Sequence, residues 1–247
     1  MKLTVHHSPR ARSIAIFGGS FDPIHVGHLA MARAAQRRFH LDDVYFVVAG
    51  RHPFRRKHEL TPFAHRYAMV TLACAEHVHY LPSLAEAGQD FSGLTTRYSV
   101  ETVRWFRNHV AHAHDKLYFI IGVDAFLEIP MWRDYERLLE LCDFVVVSRP
   151  GYKMDPLRLV IPPELLRRDA AAAARHAHKA GNGSSRPAHD QAHTILLRHS
   201  AVHLMDTVRS HVSSTEIRRR RHRNESIHGL VPPRVEDYIL QQALYLR

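Results

Sequence analysis

The sequence predicts an α/β fold in which helices cover both faces of a parallel sheet. Short apolar, β-branched runs such as KLYFIIG and DFVVVS alternate along the chain with segments whose apolar residues recur at helical spacing. Strands that are separated by helices pair in parallel through right-handed crossovers, which bury both faces of the sheet. The length of 247 residues and the hydrophobic content of 45% suit one domain of this kind.

The individual elements follow from apolar runs and periodicity, in chain order. The predicted strands are 14–17, 44–49, 77–81, 116–122, 143–148 and 201–205, of which 77–81 is the weakest. The predicted helices lie around 29–35, at 62–76, 98–110 and 135–141, then from near Ser213 onward, and last at 232–244. Strands of this arrangement place their carboxyl-end turns along one edge of the sheet, where such folds bind ligands.

The periodic pattern fails between about residues 155 and 199. Prolines there are followed by DAAAAARHAHKAGNGSSRPAHDQAH, which is rich in Ala, His, Gly and Ser. This composition predicts a flexible insertion at 155–199 in a single domain of residues 13–247, preceded by a basic N-terminal tail of residues 1–12. The insertion contains histidines that lack a fixed ligand geometry, so a solvated loop is favoured over a metal site. They are His176, His178, His189 and His193.

The charge of the chain favours an acidic partner. The formal net charge is +10, and 22 histidines add to it at low pH. Nucleotides, nucleic acid and anionic lipid all remain possible on this ground. Much of the excess falls in 6–12, 51–58 and 218–223, which are expected to be loops or tails, so charge indicates an anionic ligand without identifying it.

Cysteine content and hydropathy predict a cytoplasmic protein. Cys74 and Cys142 are too few for a disulfide framework, which favours a reducing compartment. The N-terminal residues show no apolar core of a signal peptide, and no stretch approaches the roughly 18 apolar residues of a membrane span. We therefore expect no membrane partner.

A turn rich in glycine and histidine joins the first strand to the first helix. Gly18, Gly19 and Ser20 allow backbone N–H groups to approach an anion, and the helix N-terminus adds roughly half a positive charge. His25 and His28 can share one face and donate N–H groups to phosphate oxygens. An isolated HxxH pair most often caps or packs a turn, and metal ligation is a second alternative. The glycine between these histidines gives the narrower pattern HVGH.

The stretch GGSFDPIHVGHL resembles the signature of the nucleotidyltransferase superfamily, whose HxGH motif holds the α- and β-phosphates of ATP. The resemblance implies a Rossmann-like nucleotidyltransferase fold. Class I aminoacyl-tRNA synthetases share a related motif, but 247 residues are too few for their usual domains. A small adenylyl- or cytidylyltransferase is therefore favoured.

The segment SSTEIR matches the C-terminal SSTxIR motif of the same superfamily. Ser213 and a glutamate three residues later fit a capping box, which predicts a helix N-terminus facing an anion. Ser214 and Thr215 add hydroxyl donors, and Arg218 adds a guanidinium fork suited to phosphate. The basic residues 219–223 that follow are predicted to form a solvated helix face.

The middle of the chain resembles the bacterial nicotinate-nucleotide adenylyltransferases. IIGVDAFLEIPMW follows their GxD-then-Trp pattern, which implies that Asp124 meets a ribose and that Trp132 stacks on the pyridine ring. RYSVETV resembles their SYTxDTL element and implies that Ser99 lies near the nicotinate. VVVSRPG implies that Arg149 lies near ATP. Core packing is the alternative role for the tryptophan.

One loop departs from this family. After the second strand the family usually carries a PPHK-like element, whereas this chain has RHPFRRKHEL from residue 51. Lys57 is assigned to the pyridine nucleotide, with the neighbouring arginines as alternatives. The homo-oligomeric state is left open by the sequence.

The resemblance implies a reaction of ATP with nicotinate mononucleotide that gives deamido-NAD and pyrophosphate, within NAD biosynthesis. The attacking phosphate is already anionic, so positioning and charge stabilisation supply the catalysis. Mg²⁺ is expected to arrive with ATP, without a protein metal site. The alternatives are transfer to nicotinamide mononucleotide or to another small phosphate acceptor, and a basic nucleic-acid-binding module, which the two motifs make less favoured.

Overall fold

A central sheet organises the part of the chain that the computed structural model describes, which is residues 10–50, 60–88, 98–148, 152–167, 193–206 and 211–246. Its strands are β1 Ser13–Gly19, β2 Asp43–Val48, β3 Tyr80–Ser83, β4 Lys116–Gly122, β5 Asp143–Val147, β6 Thr194–Leu196 and β7 Ala201–Met205. The spatial order is β3-β2-β1-β4-β5-β7-β6. All neighbouring strands pair in parallel except β6, which is antiparallel to β7.

Helices cover both faces of this sheet, as predicted. They are α1 Val26–Phe39, α2 Phe63–Cys74, α3 Ser99–His109, α4 Val123–Leu127, α5 Tyr135–Leu141, α6 Asp155–Leu159, α7 Ser214–His222 and α8 Pro233–Gln241, with short 3₁₀ turns at Ile129–Met131 and Pro163–Leu165. No helix in these described segments is both long and apolar enough to cross a membrane.

The alternation of side chains along the buried strands divides the core into two layers. Phe17 and Ile120 point to the layer formed with α1, α2, α7 and α8. Ile16 and Phe119 point to the opposite layer, which is formed with α3, α4, α5 and α6. Strands covered on both faces have continuous apolar runs, which is why β1 and β4 were recognisable in the sequence.

Two predicted elements differ from the observed ones at their boundaries. The strand predicted at 77–81 lies at Tyr80–Ser83, because His77 accepts a turn-closing bond from the amide of Tyr80 and Val78 is exposed to solvent. The last helix, predicted to reach residue 244, ends at Gln241, and Ala243 has a left-handed backbone that cannot continue the helix.

Both ends of the segment 155–199, which the sequence predicts to be a flexible insertion, are folded in the structure. Its first part contains α6 and the turn Pro163–Leu165, and its last part contains the edge strand β6. Leu157, Leu165 and Ile195 are buried in the core, so both ends of the segment are folded. These elements are only three to five residues long and two of them contain prolines, so their sequences show no helical or strand periodicity. Residues 168–192, with His176, His178 and His189, lie outside the described residues.

The predicted N-terminal tail also ends earlier than residue 12. The backbone N–H and the guanidinium of Arg12 both donate to the carboxylate of Asp115, and the guanidinium donates to the carbonyl oxygen of Val110. Arg12 therefore anchors the start of β1 to the start of β4.

The folded role of α6 predicts a contrast between two leucines. Leu157 is 0% exposed and Leu159 is 85% exposed on the same helix. Leu157→Ala should lower the free energy of unfolding by about 2–5 kcal/mol through lost burial and a cavity, whereas Leu159→Ala should change it by less than about 0.5 kcal/mol. Urea unfolding of both variants is the measurement. Equal, small effects would show that this segment does not contribute to the core.

Candidate active site

A cleft of about 460 Å³ opens at the carboxyl ends of β1, β4 and β5. Its lining comes from α1, from the β4–α4 junction, from the end of β5 and from the residues before α7: His25, Gly27, Met31, Gly122, Val123, Asp124, Val147, Ser148, Tyr152 and Val212. This is the position at which open parallel sheets bind ligands. Of the predicted site residues, His25 and Asp124 line this cleft, and Asp124 is an exposed carboxylate in the first turn of α4.

The turn that follows β1 is shaped by Phe21. This residue has a left-handed backbone with a φ of 46°, and its buried ring contacts the rings of Phe17, Phe46 and His28. A Cβ atom on Gly19 would lie 3.0 Å from the Phe21 ring, so a larger residue there would require this buried ring to shift. A Cβ atom on Gly18 would make only an ordinary contact of 3.6 Å, so packing does not explain that glycine.

His25 and His28 stack on each other at the start of α1. Their ring centroids are 3.7 Å apart, with 24° between the ring planes. The backbone N–H of His25 donates to Nδ1 of His28, so the neutral ring of His28 carries its proton on Nε2, ready to act as a donor. Nδ1 of His25 is buried and has no hydrogen-bond partner in the described part of the chain. The predicted shared face of HVGH is thus formed.

Burial keeps both imidazoles neutral in the free protein. It lowers the pKa of His25 from 6.5 to about 4. Burial, and then the charge of His25, lower the pKa of His28 well below its ordinary value. Two neutral donors avoid the repulsion that adjacent imidazolium rings would suffer, and an incoming anion would favour their protonated forms.

The second motif lies directly against this turn. The hydroxyl of Ser214 donates to the carbonyl oxygen of Pro23 over 2.9 Å, and Nη1 of Arg218 donates to the carbonyl oxygen of Asp22 over 2.6 Å. Ser213 caps α7, because its Oγ accepts from the amide of Glu216. The hydroxyl of Thr215 is exposed and accepts from Nη2 of Arg218 at 3.4 Å. The two motifs, separated by about 190 residues in the chain, therefore form one surface.

The basic run after this motif is only in part the solvated face that the sequence predicts. The carboxylate of Glu216 accepts from Arg219 and Arg220, so it does not serve as a simple capping-box acceptor. Arg221 is buried on the side of α7 that carries Ile217, and its Nε has no partner within the described residues. Arg221 follows Ile217 by four residues, so both lie on the same face of the helix, and this spacing indicates the inward position.

The residues predicted for the pyridine nucleotide lie on the other face of the sheet, next to the same turn. The half-buried ring of Trp132 meets the ring of Phe119 edge-on at 6.4 Å, and Phe119 is the residue that a Cβ on Gly18 would touch. Ser99 is the first residue of α3. The guanidinium of Arg133 lies 4.8 Å above the ring of Tyr98, which brings the segment of Trp132 to the start of α3. Lys57 and Arg149 lie outside the described residues.

A family model described as cytidylyltransferase-like matches residues 16–220, which is most of the chain and includes both motifs. The chain belongs to this family. The fold and the resemblance predicted from HVGH and SSTEIR are confirmed.

Curated members of this family resemble the chain along nearly its whole length. A probable nicotinate-nucleotide adenylyltransferase of Moorella thermoacetica is 35% identical over 236 residues, which cover 96% of this chain and 93% of the relative. The protein of the same description from Geotalea daltonii is 36% identical over 232 residues, covering 94% and 97%.

Solved structures of the family share the fold. The nicotinic acid mononucleotide adenylyltransferase of Plasmodium falciparum, complexed with NaAD, superposes with a TM-score of 0.64 at 18% identity, covering 95% of this chain and 97% of that one. A second structure of that protein, complexed with APC, gives a TM-score of 0.63 at the same identity and coverage. At this identity the likeness concerns the fold.

Arg66 is a buried arginine that bonds the turn after β1 and was not identified from the sequence. The guanidinium of Arg66 donates to the carbonyl oxygens of Ser20, Ala49, Gly50 and Thr61 and is 2% exposed. It thereby joins the loops after β1 and β2 to the start of α2. The position of Arg66 within an otherwise apolar helical stripe, three residues after Phe63, was a signal in the sequence.

The two glycines should behave differently when replaced. Gly19→Ala should lower the melting temperature and activity together, because the methyl group displaces the Phe21 ring from His28. Gly18→Ala should keep the melting temperature and weaken the binding of ATP by about tenfold or more, if the bare backbone serves an anion. Calorimetry of unfolding and of ATP binding distinguishes them. Unchanged ATP affinity in Gly18→Ala would remove Gly18 from the anion site.

The buried histidine pair predicts a specific pH dependence. The folded pKa of His25 lies below its ordinary value, so its contribution to stability is complete above about pH 6.5 and is lost as the pH falls toward 4. NMR titration of the ring nitrogens should give a pKa of about 4 for His25. Bound ATP should raise that value, and an unshifted value with ATP would argue against contact with phosphate.

Proposed function

We propose that this protein transfers the adenylyl group of ATP to nicotinate mononucleotide, giving deamido-NAD and pyrophosphate in NAD biosynthesis. The observation that carries the proposal is the junction of the two motifs, in which Arg218 and Ser214 bond the turn that precedes His25. Curated relatives named for this activity match the chain over more than nine-tenths of its length. A cytoplasmic location is part of the same proposal.

The junction is suited to a triphosphate. The N-termini of α1 and α7 lie at one surface, where their free N–H groups and dipoles favour anions. His25 and His28 would donate N–H groups at the α- and β-phosphates, and Gly18, Gly19 and Ser20 would contribute the backbone and hydroxyl donors of the turn. Neutral donors in a partly dry site stabilise developing charge without reorganisation.

The departing pyrophosphate would lie at α7. Arg218 uses Nη1 on the turn and keeps further N–H groups for phosphate, and Thr215 has an exposed hydroxyl. The hydroxyl of Ser214 already donates its proton to the carbonyl oxygen of Pro23, so Ser214 stabilises the turn. It could donate to a phosphate only after breaking that hydrogen bond. Ser213 contributes through the cap that orders the helix start.

The chemistry is an in-line displacement at phosphorus. A phosphate oxygen of nicotinate mononucleotide attacks the α-phosphorus of ATP, the new P–O bond forms, and the bond from that phosphorus to the β-phosphate bridging oxygen breaks. The nucleophile is already an anion, so no general base is needed, and the protein contributes positioning and charge stabilisation. We expect Mg²⁺ to arrive bound to the phosphates of ATP.

The acceptor would bind on the Trp132 side of the turn, with its ring on the indole and its edge toward Ser99. Asp124, which is exposed in the cleft beside His25, would meet a ribose diol on the ATP side of the site. The cationic Arg133 on the ring of Tyr98, directly beside Ser99, favours an acid substituent on the pyridine ring over an amide. Lys57 and Arg149 retain their predicted roles toward the pyridine nucleotide and ATP.

Pyrophosphate release with nicotinate mononucleotide, compared with nicotinamide mononucleotide, tests the proposal. We expect a preference for the acid of about 100-fold in kcat/KM, since mismatched polar groups at a desolvated site discriminate strongly. Preference for the amide would assign the chain to a sister activity. Release with neither acceptor would refute the proposed reaction.

His28→Ala should lower kcat by about 100-fold, the effect of removing one donor from developing charge. The control is His79→Ala, which removes an exposed imidazole whose Nδ1 bonds the carbonyl oxygen of Asp42, just before β2. Its turnover should equal that of the wild type. Full turnover in His28→Ala, measured at matched folded fraction, would exclude His28 from the mechanism.

Trp132→Ala should raise KM for the pyridine nucleotide by about 10- to 100-fold, because a stacked aromatic contributes roughly 1–3 kcal/mol per base. KM for ATP should change little. The matched control is Trp105→Ala, which removes the other tryptophan of the chain from α3, where it stacks on His109. Equal changes in both KM values would indicate that Trp132 only packs.

A further inference from the structure

A buried carboxylate lies in the turn between the glycines and the histidines, and none of the roles above uses it. Asp22 is 4% exposed. Its Oδ1 accepts a hydrogen bond from the hydroxyl of Tyr245 over 2.7 Å, and its Oδ2 accepts one from the backbone N–H of Thr61 over 3.2 Å. The carbonyl oxygen of the same residue accepts from Arg218. Asp22 is therefore the point at which three distant segments meet the turn.

Tyr245 reaches this carboxylate from the end of the chain. After α8 the backbone of Ala243 and of Tyr245 is left-handed, with φ values of 50° and 65°. Such conformations cost roughly 1–3 kcal/mol each in a residue other than glycine, so compensating contacts must maintain them. The amide of Leu244 bonds the carbonyl oxygen of Ile239, which folds the chain back, and the Tyr245–Asp22 bond holds it there.

The hydroxyl of Tyr245 is a permanent donor. Burial, and then the charge of Asp22, raise the pKa of Tyr245 above its ordinary value of 10, so the phenol keeps its proton throughout the working range of pH. Its proton partly neutralises the Asp22 carboxylate, which would otherwise repel an anion bound at HVGH, three residues further along the chain.

We infer that Tyr245 is a positioning residue for the phosphate turn: its hydroxyl fixes the Asp22 carboxylate, and Asp22 in turn sets the place of Arg218 and of His25. The inference rests on the proposed function, because it assigns a support to that same site. Deleting only the hydroxyl leaves the contacts of Thr61, Arg218 and Ser214 to the turn in place. The fold therefore survives while the geometry and charge of the turn change.

The test compares Tyr245→Phe with Tyr238→Phe. Tyr238 lies on α8, and its hydroxyl also bonds a side chain, Nδ1 of His65, away from the turn. In Tyr245→Phe we expect kcat to fall about tenfold and the affinity for ATP to fall, with the melting temperature within about 2 °C of wild type. Tyr238→Phe should keep the kcat and ATP affinity of the wild type.

A second comparison separates action through Asp22 from a general loosening. If Tyr245 acts through the carboxylate, the double variant Tyr245→Phe/Asp22→Asn should lose no more activity than Asp22→Asn alone. Additive losses would overturn the inference. A Tyr245→Phe variant with a lower melting temperature but unchanged kcat of the folded fraction would likewise overturn it, since that is what packing alone predicts.

NMR of the histidine rings tests the positioning role without depending on the proposed reaction. The ring ¹⁵N signals of His25 and His28 in the free protein should shift in Tyr245→Phe and not in Tyr238→Phe. If the wild type fails to release pyrophosphate while these signals shift, the reaction is refuted and the positioning role stands. If the signals and ATP affinity of Tyr245→Phe match the wild type, the positioning role fails whatever the reaction.

Discussion

The hydrogen bond between Arg218 and the carbonyl oxygen of Asp22 is the contact on which the candidate site depends. It joins segments 196 residues apart and holds the N-terminus of α7 against the turn that precedes α1. With the bond from Ser214 to Pro23, it joins two motifs that are far apart in the chain into one surface. A guanidinium suits this role because one nitrogen can bond the protein while the others face a ligand.

The same turn is also held by the buried guanidinium of Arg66. Arg66 uses its guanidinium entirely on backbone carbonyl oxygens of the loops around the site. Carbonyl groups at the ends of strands have no ladder partner, and unsatisfied polar groups are costly when buried. One buried cation meets this requirement for several loops at once, which leaves the exposed cations for ligands.

The electrostatics of the site differ from what the net charge of +10 suggests. Among the described residues, the groups at the turn include two neutral imidazoles, a carboxylate engaged by Tyr245 and Thr61, and the guanidiniums of Arg66 and Arg218. The proposed phosphate site therefore combines hydrogen-bond donors and two helix N-termini with the guanidinium of Arg218. On α7 the carboxylate of Glu216 pairs with Arg219 and Arg220 and offsets one of the four arginine charges of this helix.

The sequence by itself determined the parallel α/β fold, most element boundaries and the two motifs, because periodicity and local residue patterns specify strands, helices and their caps. It also placed His25 and His28 on one face and Ser213 at a cap. Only the tertiary structure decided that Ser214 bonds the turn, that Gly19 packs closely against the ring of Phe21, and that Asp22, Arg66 and Tyr245 contact the turn or its supports. The physical reason is that these roles depend on burial and on hydrogen bonds between residues far apart in the chain, which no local pattern encodes.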